Sequence, residues 1–210
     1  MKIILFCIVA IIAFTACKDH DYVTIKTDMG QMEVLLLKSA PKHTTNFRKL
    51  VDEDFYDDLL FHRVINGFMI QGGDPASRNA SKGAPLGSGG TGYTIPAEIG
   101  TPHFKGMLSA ARQSDAVNPK KESSGSQFFI VTGQAVTDHD LDEVERTKGF
   151  KYTPVQREKY KKLGGAPSLD GDYTVFGEVV NGLDVVDKIA QVEVDSRARP
   201  LNDVKMKIYK

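Results

Sequence analysis

Cysteine is scarce in this chain, and neither sign of charge is in excess. The 210 residues include two cysteines, Cys7 and Cys17, and 27 basic residues balance 27 acidic ones. We expect Cys7 to be removed with a leader, so the mature chain would keep one cysteine and form no internal disulfide. The charge balance gives no reason to expect nucleic acid as a partner.

The residue spacings that are typical of metal sites are also missing. The five histidines do not show the paired spacing of zinc ligands, so we expect no metal and no cofactor. Asp138, Asp140 and Asp142 match the start of a calcium loop. However, Glu143 occupies the position that needs glycine, and Gly149 the position of the closing glutamate, which argues against calcium.

The longest apolar run, residues 3–16, is too short to span a bilayer. A membrane-spanning helix needs about 20 apolar residues. Residues 1–16 are therefore predicted to be a signal peptide. The sequence FTAC, which ends at Cys17, resembles a bacterial lipobox, in which the cysteine is lipidated and becomes the mature N-terminus. Ordinary signal cleavage, with Cys17 incidental, is the alternative.

Lipidation at Cys17 would anchor the protein to a bacterial envelope membrane through a short leader, residues 17–21. We expect the protein to face the periplasm, with exposure at the cell surface as the alternative. Residues 22–210 are then enough for one sizeable domain with its own core, which we expect to be monomeric.

Short alternating segments predict a mainly β fold. A hairpin is predicted over residues 22–37, and further strands over 60–65, 68–71, 106–111, 128–131 and 204–208. Helices are predicted over 41–52 and 183–191, where apolar residues recur at helical spacing. Many short strands with two core helices indicate a closed or nearly closed barrel whose open ends the helices cover.

Residues 135–166 depart from this pattern. Asp138–Lys148 and Pro154–Leu163 are charged, helix-prone segments with few apolar residues, and Gly164 follows as a helix stop. We interpret residues 135–166 as an inserted helical hairpin that lies on the surface.

One arginine stands out in the segment 61–74, FHRVINGFMIQGGD. If this segment forms strands, Arg63, Met69 and Gln71 line one surface, while His62 points away from Arg63. A cation that cannot lose its proton, set in an apolar wall beside an amide, is unusual in a sheet. From composition alone, a structural arginine at a sheet edge is the favoured interpretation.

Three further motifs change that interpretation. They are GMLSAA at 106–111, GSQFFIV at 125–131, and LDG followed by YTVFGEV within 169–179. With the arginine segment, they resemble the cyclophilin family of peptidyl-prolyl cis/trans isomerases over nearly all of residues 22–209. This resemblance implies a closed eight-stranded antiparallel β-barrel with a helix at each end, and proline-containing polypeptides as substrates.

The resemblance also implies the site residues. Arg63 would be the catalytic residue. The substrate groove would be formed by Phe68, Met69, Gln71, Ala111, Arg112, Gln127, Phe129, Leu169 and Tyr173. Arg112 replaces the asparagine that is usual in the family, and Tyr173 replaces the histidine of eukaryotic members. Ser168 stands where members that bind cyclosporin strongly have tryptophan, so we expect weak inhibition by that drug.

The chemistry of proline isomerisation gives an independent reason for these residue types. In the twisted transition state the lone pair returns to the proline nitrogen, so a hydrogen-bond donor aimed there lowers the barrier. Arg63 can be that donor, and no nucleophile, metal or cofactor is needed. The expected role is the folding of envelope proteins. A chaperone surface and a docking site are the alternatives for residues 135–166, beside a loop without a function of its own.

Overall fold

The computed structural model describes residues 21–210, so the predicted signal peptide and Cys17 lie outside the described residues. Within this range the chain forms eleven β-strands and four α-helices. The strands are β1 (Tyr22–Thr27), β2 (Gly30–Leu36), β3 (Leu59–Leu60), β4 (Arg63–Ile65), β5 (Met69–Gly72), β6 (Thr94–Ile95), β7 (Met107–Ala110), β8 (Ser123–Ser124), β9 (Phe128–Val131), β10 (Val175–Asn181) and β11 (Lys205–Tyr209). The helices are α1 (Pro41–Asp52), α2 (Asp138–Lys148), α3 (Pro154–Leu163) and α4 (Leu183–Ala190).

Nine strands form one curled antiparallel sheet in the order β3-β11-β1-β2-β10-β7-β9-β5-β4, and β6 pairs with β8 separately. The predicted hairpin is confirmed, because β1 pairs with β2 along its whole length. β1 also pairs with β11, so the first and last described strands lie side by side. The mainly β prediction is therefore confirmed.

The predicted closed barrel of eight strands is not confirmed, because the sheet contains nine. The difference lies in the strand predicted over residues 60–65, which is interrupted at Phe61 and His62. Before the interruption, β3 pairs with β11; after it, β4 pairs with β5. A change of pairing partner within one extended segment thus produces two short strands at the two ends of the sheet.

The main core lies under α1 and α4, the two helices that were predicted to cover the barrel. α1 buries Phe47, Leu50 and Val51 on one face, as its helical spacing predicts. The ring of Phe47 lies 5.7 Å from that of Phe128 on β9, in an edge-to-face contact that favours a fixed packing. These helices therefore hold the inner face of the sheet from which the site is built.

Both helices predicted within residues 135–166 are confirmed. Their N-termini are capping boxes, in which Thr137 pairs with Asp140 and Thr153 with Gln156. As predicted, most residues of this hairpin are exposed, but its inner face is packed into the protein. Leu141 of α2 and Tyr160 of α3 are completely buried in a second apolar cluster that also contains Phe129. A few apolar residues are enough to anchor the two helices, because these residues lie together on the face that packs against the second apolar cluster.

None of the helices between residues 21 and 210 is both long enough and apolar enough to cross a bilayer.

Candidate active site

The pairing of β4 with β5 places Arg63 directly opposite Gln71 and Ile65 opposite Met69. Opposite residues of an antiparallel pair share one face of the sheet. Val64, between them, is buried on the other face. The prediction that Arg63, Met69 and Gln71 line one surface is thus confirmed.

A chain of amides orients the Arg63 guanidinium. Arg63 Nη1 donates to Gln71 Oε1 at 3.2 Å, and Gln71 Nε2 donates to Gln127 Oε1 at 3.0 Å. Gln127 Nε2 in turn donates to the carbonyl oxygens of Gly87 and Gly89, at 2.9 and 2.6 Å. Each amide has its oxygen toward the arginine and its nitrogen toward the loop, so the direction of the chain is fixed.

A buried carboxylate holds the loop at the end of this chain. Asp74 is completely buried, and its oxygens accept from the backbone N–H groups of Ala76, Gly87 and Gly89 at 2.8, 2.5 and 3.4 Å. Gly73, just before it, has a φ of 86°, and a Cβ there would lie 2.2 Å from the carbonyl oxygen of Ser126. The GGD end of the arginine segment therefore allows the close approach that places Asp74.

Arg63 faces a cavity of about 440 Å³. Nine of the ten predicted site residues line it: Arg63, Phe68, Met69, Gln71, Ala111, Arg112, Phe129, Leu169 and Tyr173. Gln127 does not line this cavity; it lies behind Gln71 and lines a neighbouring one of about 400 Å³. The structure therefore gathers residues from four separate sequence motifs around one space.

Arg112 and Tyr173 form one wall together. The guanidinium carbon of Arg112 lies 4.5 Å above the centre of the Tyr173 ring, within the range of a cation–π contact. Arg112 Nε also donates to the carbonyl oxygen of Asp172 at 2.7 Å, and the Tyr173 ring meets Phe129 edge to face at 5.9 Å. Each of these two side chains thus fixes the position of the other.

The model of the family described as "Cyclophilin type peptidyl-prolyl cis-trans isomerase/CLD" matches residues 22–210. The chain belongs to the cyclophilin family. It is a cyclophilin-type peptidyl-prolyl cis-trans isomerase, in agreement with the prediction from sequence.

Bacterial relatives and solved structures agree with this assignment. A putative peptidyl-prolyl cis-trans isomerase of Staphylococcus aureus is 35% identical over 183 residues, which cover 87% of each chain. A putative bifunctional phosphatase/peptidyl-prolyl cis-trans isomerase of Streptococcus pyogenes is 38% identical over 186 residues; the match covers 87% of this chain and 37% of that longer one. This chain thus spans just over a third of the streptococcal relative.

Two crystal structures of a cyclophilin type peptidyl-prolyl cis-trans isomerase from Cryptosporidium parvum match 90% of this chain and 97% of theirs. Their TM-scores are 0.61 and 0.62, with 25% and 26% sequence identity. The second was determined in the presence of the dipeptide Ala-Pro.

Sequence reasoning missed part of the groove of this cyclophilin. The missed lining residues are His62, Ala84, Pro85, Leu86, Gly87, Arg197 and Arg199. Residues 84–87 lie in a loop rich in glycine, serine and proline, where no periodicity marks a functional side chain. Buried Arg199 donates from Nη1 to the carbonyl oxygens of Ser81 and Ala84, at 3.0 and 2.7 Å, and thereby holds this loop against the cavity.

His62 lines the same cavity as Arg63, although the alternation predicted that it would point away. It is buried, and this burial lowers its pKa, while nearby Asp74 opposes the shift. His62 is therefore neutral at physiological pH and adds no charge to the groove.

Four arginines line the cavity, and no aspartate or glutamate of the described residues does. Three of the arginines pair with carboxylates outside the cavity: Arg112 with Asp115 at 2.6 Å, Arg197 with Asp195 at 3.6 Å, and Arg199 with Asp203 at 3.2 Å. Arg63 forms no ion pair within residues 21–210. Among the four arginines, its charge is thus the one that no carboxylate of the described residues offsets.

The part of the cavity wall that Phe129 and Leu169 form is supported by a second buried carboxylate. Asp170, next to the lining residue Leu169, accepts from the backbone N–H of His103 at 2.8 Å and lies 2.7 Å from His103 Nδ1. The His103 ring stacks on Phe129, with the ring centres 6.2 Å apart. The hydroxyl groups of Tyr152 and Tyr160 donate to the other oxygen of Asp170, at 2.6 and 2.5 Å.

No group of three or more His, Cys, Asp or Glu side chains among residues 21–210 could hold a metal ion. Among the four lining arginines of the described residues, Arg63 alone has no carboxylate partner, and it lies beside the apolar side chains of Phe68, Met69, Phe129 and Leu169, an arrangement suited to stabilising a developing lone pair.

Proposed function

We propose that Arg63 accelerates rotation about X–Pro bonds by donating a hydrogen bond to the proline nitrogen. The observation that carries this proposal is the position of its guanidinium. It lines the cavity beside Phe68, Phe129 and Leu169, and its protein partners are an amide and a thioether, Gln71 at 3.2 Å and the Met69 sulfur at 4.0 Å. Donor hydrogens therefore remain for a substrate.

The physical basis is a difference between ground state and transition state. Rotation about a peptide bond is opposed by ~18 to 20 kcal/mol, because the nitrogen lone pair is delocalised into the carbonyl group. When the bond twists, the lone pair returns to nitrogen and becomes a hydrogen-bond acceptor. A donor at this point stabilises the twisted state and leaves the planar state unchanged, so it lowers the barrier.

The apolar residues have a separate task. Met69, Phe129 and Leu169 would hold the proline ring in a pocket that excludes water. A hydrogen bond is electrostatically stronger where water is excluded. The pocket would thus both position the proline and strengthen the contact from Arg63.

The test is cis-to-trans exchange of a proline tetrapeptide. Arg63→Ala should lower kcat/KM by about a hundredfold, the usual cost of losing one donor to a developing charge. Arg197→Ala is the matched control, because Arg197 lines the same cavity but is half exposed and donates to the carbonyl oxygen of Gly83. We expect it to alter kcat/KM far less. Unchanged turnover in Arg63→Ala would contradict the mechanism.

The same mechanism predicts a flat pH profile. No histidine or carboxylate proton is transferred, and an arginine side chain stays protonated in water at ordinary pH. We therefore expect kcat/KM for the tetrapeptide to be constant between about pH 6 and 9. A bell-shaped profile would show that a second titrating group takes part.

We also propose that β3 and β4 act as one strand and close the sheet into an eight-stranded barrel. Two bonds to the C-terminal segment support this: Phe61 N donates to the Val204 oxygen at 2.9 Å, and Val64 N donates to the Ala198 oxygen at 2.8 Å. The Phe61 and Val64 amides should then exchange with deuterium as slowly as those of β1. Rapid exchange at both would indicate an open edge.

We further propose that the protein is a monomer, lipid-anchored at Cys17, that assists the folding of envelope proteins on the periplasmic side. The apolar run before Cys17 and the FTAC sequence support the anchor. Cys17→Ser should move the protein from the membrane to the soluble fraction of cells. Unchanged membrane association would contradict lipidation at this residue, and exposure at the cell surface would appear as sensitivity to added protease.

A further inference from the structure

A second cavity, of about 470 Å³, adjoins the proline groove at Phe68, whose side chain lines both. Its far side is the exposed face of α2. Its apolar lining includes Phe68, Val136, Val144 and Pro167, and its polar lining consists of Gln134, His139, Asp140, Glu143 and Ser168. We call this cavity the α2 groove. It therefore connects the barrel with the insertion of residues 135–166.

The α2 groove is held in shape from below. Leu141 and Val144 of α2 are buried in the same apolar cluster as Met69 and Phe129, which line the proline groove. Glu145, one residue further, accepts from the backbone N–H of Tyr152 at 2.9 Å. These contacts fix α2 relative to Phe68, so the α2 groove is present before any ligand binds.

The charge of the α2 groove is opposite to that of the proline groove. Asp140 and Glu143 line it, and within the described part of the chain no lysine or arginine does. Hydrogen bonds from Thr137 lower the pKa of Asp140, and the Arg146 guanidinium lowers that of Glu143. Both carboxylates are thus ionised at neutral pH, although Arg146, 2.5 Å from Glu143, offsets part of the charge.

We propose that the α2 groove binds the segment of the substrate polypeptide that flanks the proline and favours a lysine or arginine there. This inference rests on the proposed function, because it extends the same substrate-binding surface. Continuity through Phe68 favours the substrate as the occupant over an unrelated partner. An extended chain advances about 3.3 Å per residue, so residues roughly two to four positions from the proline would lie over the α2 groove.

The experiment compares peptides that carry lysine or glutamate two to four residues away from the proline, in one series before it and in another after it. In one of the two series, kcat/KM should be about two- to fivefold higher for the lysine peptide, as expected for exposed charge pairs. High salt should reduce this ratio, because exposed charges are screened. Equal kcat/KM for lysine and glutamate in both series would overturn the proposal.

Variants assign the preference to α2. Glu143→Lys should abolish or invert the ratio, and Glu143→Gln should reduce it with a smaller perturbation of the helix. Glu158→Lys is the matched control. Glu158 is an exposed glutamate on α3 with a basic partner three residues on, Lys161, but it does not line the α2 groove. It should keep both the ratio and the tetrapeptide turnover of the wild type. An unchanged ratio in Glu143→Lys would contradict the assignment.

The α2 groove can also be tested apart from catalysis. Fluorescence anisotropy of the labelled lysine and glutamate peptides reports binding whether or not the tetrapeptide is turned over. If the tetrapeptide is not turned over but the lysine peptide binds more tightly than the glutamate peptide, the proposed mechanism is wrong and the proposed role of the α2 groove is supported. If turnover is normal and the two peptides bind with equal affinity, only the proposed role of the α2 groove is wrong.

Discussion

Arg63 is positioned by amides, and this choice of partner affects what its guanidinium can do. A carboxylate partner would form an ion pair and compete with the substrate for the donor hydrogens. Gln71 Oε1, at 3.2 Å, accepts one hydrogen bond without neutralising the charge. The orientation of Arg63 is therefore fixed while its positive charge remains available to a ligand in the cavity, as the proposed mechanism requires.

The amide chain makes Gln127 a positioning residue that can be tested with a nearly isosteric change. In Gln127→Glu a carboxylate replaces the donor that faces the carbonyl oxygens of Gly87 and Gly89, at 2.9 and 2.6 Å. Repulsion should displace this side chain and, through Gln71, the guanidinium. We expect kcat/KM for the tetrapeptide to fall about tenfold, equivalent to ~1.4 kcal/mol.

The control for this change is Gln31→Glu, which alters an exposed residue on β2. It should leave turnover unchanged. If the rate of Gln127→Glu equals that of the wild type, Arg63 does not depend on the amide chain for its orientation.

For single residues, the sequence predicts those positions that follow from the alternation of side chains along a strand. The shared face of Arg63, Met69 and Gln71 follows from a period of two in paired strands. Arg199 could not be found in this way, because it lies outside the strands and acts on residues 81–84, more than a hundred positions earlier. Contacts between loops carry no local period.

Among the elements of the fold, α2 and α3 are tied to the rest of the domain through one buried carboxylate. Asp170 accepts hydrogen bonds from Tyr152, which lies between the two helices, and from Tyr160 of α3. Burial raises the pKa of both tyrosines, so their hydroxyl groups stay protonated and can donate. Residues 135–166 thus provide hydrogen-bond donors to a buried carboxylate next to Leu169, which lines the cavity.

Removal of one of these donors should destabilise the whole domain. In Tyr160→Phe, Asp170 loses one hydrogen bond in a site that water reaches poorly, which should lower the free energy of unfolding by about 1.5 to 3 kcal/mol. Urea denaturation measures this change. The control is Tyr209→Phe, which changes a half-buried residue at the end of β11. It should lower the free energy of unfolding by less than about 0.5 kcal/mol. Equal costs would mean that the bond to Asp170 contributes nothing specific.

The junction between α2 and α3 should also show a pH dependence. The bonds from Lys151 at 2.7 Å and from the Tyr152 N–H at 2.9 Å lower the pKa of Glu145 to about 2. Its pKa in the unfolded chain is higher, about 4.3. The carboxylate therefore stabilises the fold fully above about pH 5, and this contribution is lost as the pH falls toward 2.

Glu145→Gln isolates that contribution. The difference in urea midpoint between wild type and variant should be largest at neutral pH and should shrink between about pH 5 and 3. A difference that is independent of pH would show that the Glu145 charge does not stabilise the junction.

Helix ends could be predicted here because their signals are local. Thr137, Thr153 and Pro154 mark the starts of α2 and α3 within a few residues of sequence. The burial of their inner faces could not be predicted, because Leu141 and Tyr160 are buried by residues from distant parts of the chain. Composition predicts the charged outer face of the hairpin, whereas the packing of its few apolar residues into the second cluster depends on tertiary contacts.

For the whole molecule, the sheet depends on a strand from the far end of the sequence. β11 lies between β3 and β1, and its central residues Met206 and Ile208 are buried. A chain that ends at residue 204 should therefore leave β1 and β3 without a shared partner and fail to fold. Circular dichroism and a loss of tetrapeptide turnover would report this. A truncated chain that keeps native stability would contradict it.

That pairing also sets an order of events during synthesis. Thr24 lies opposite Tyr209, so β1 is among the first parts of this domain to leave the ribosome and must wait for almost all of the rest before its second neighbour exists. Contacts so distant in sequence slow folding and leave strand edges exposed in the meantime. Until β11 has been synthesised, one edge of β1 therefore has no partner, and a chaperone that covers exposed strand edges would act on this domain during that interval.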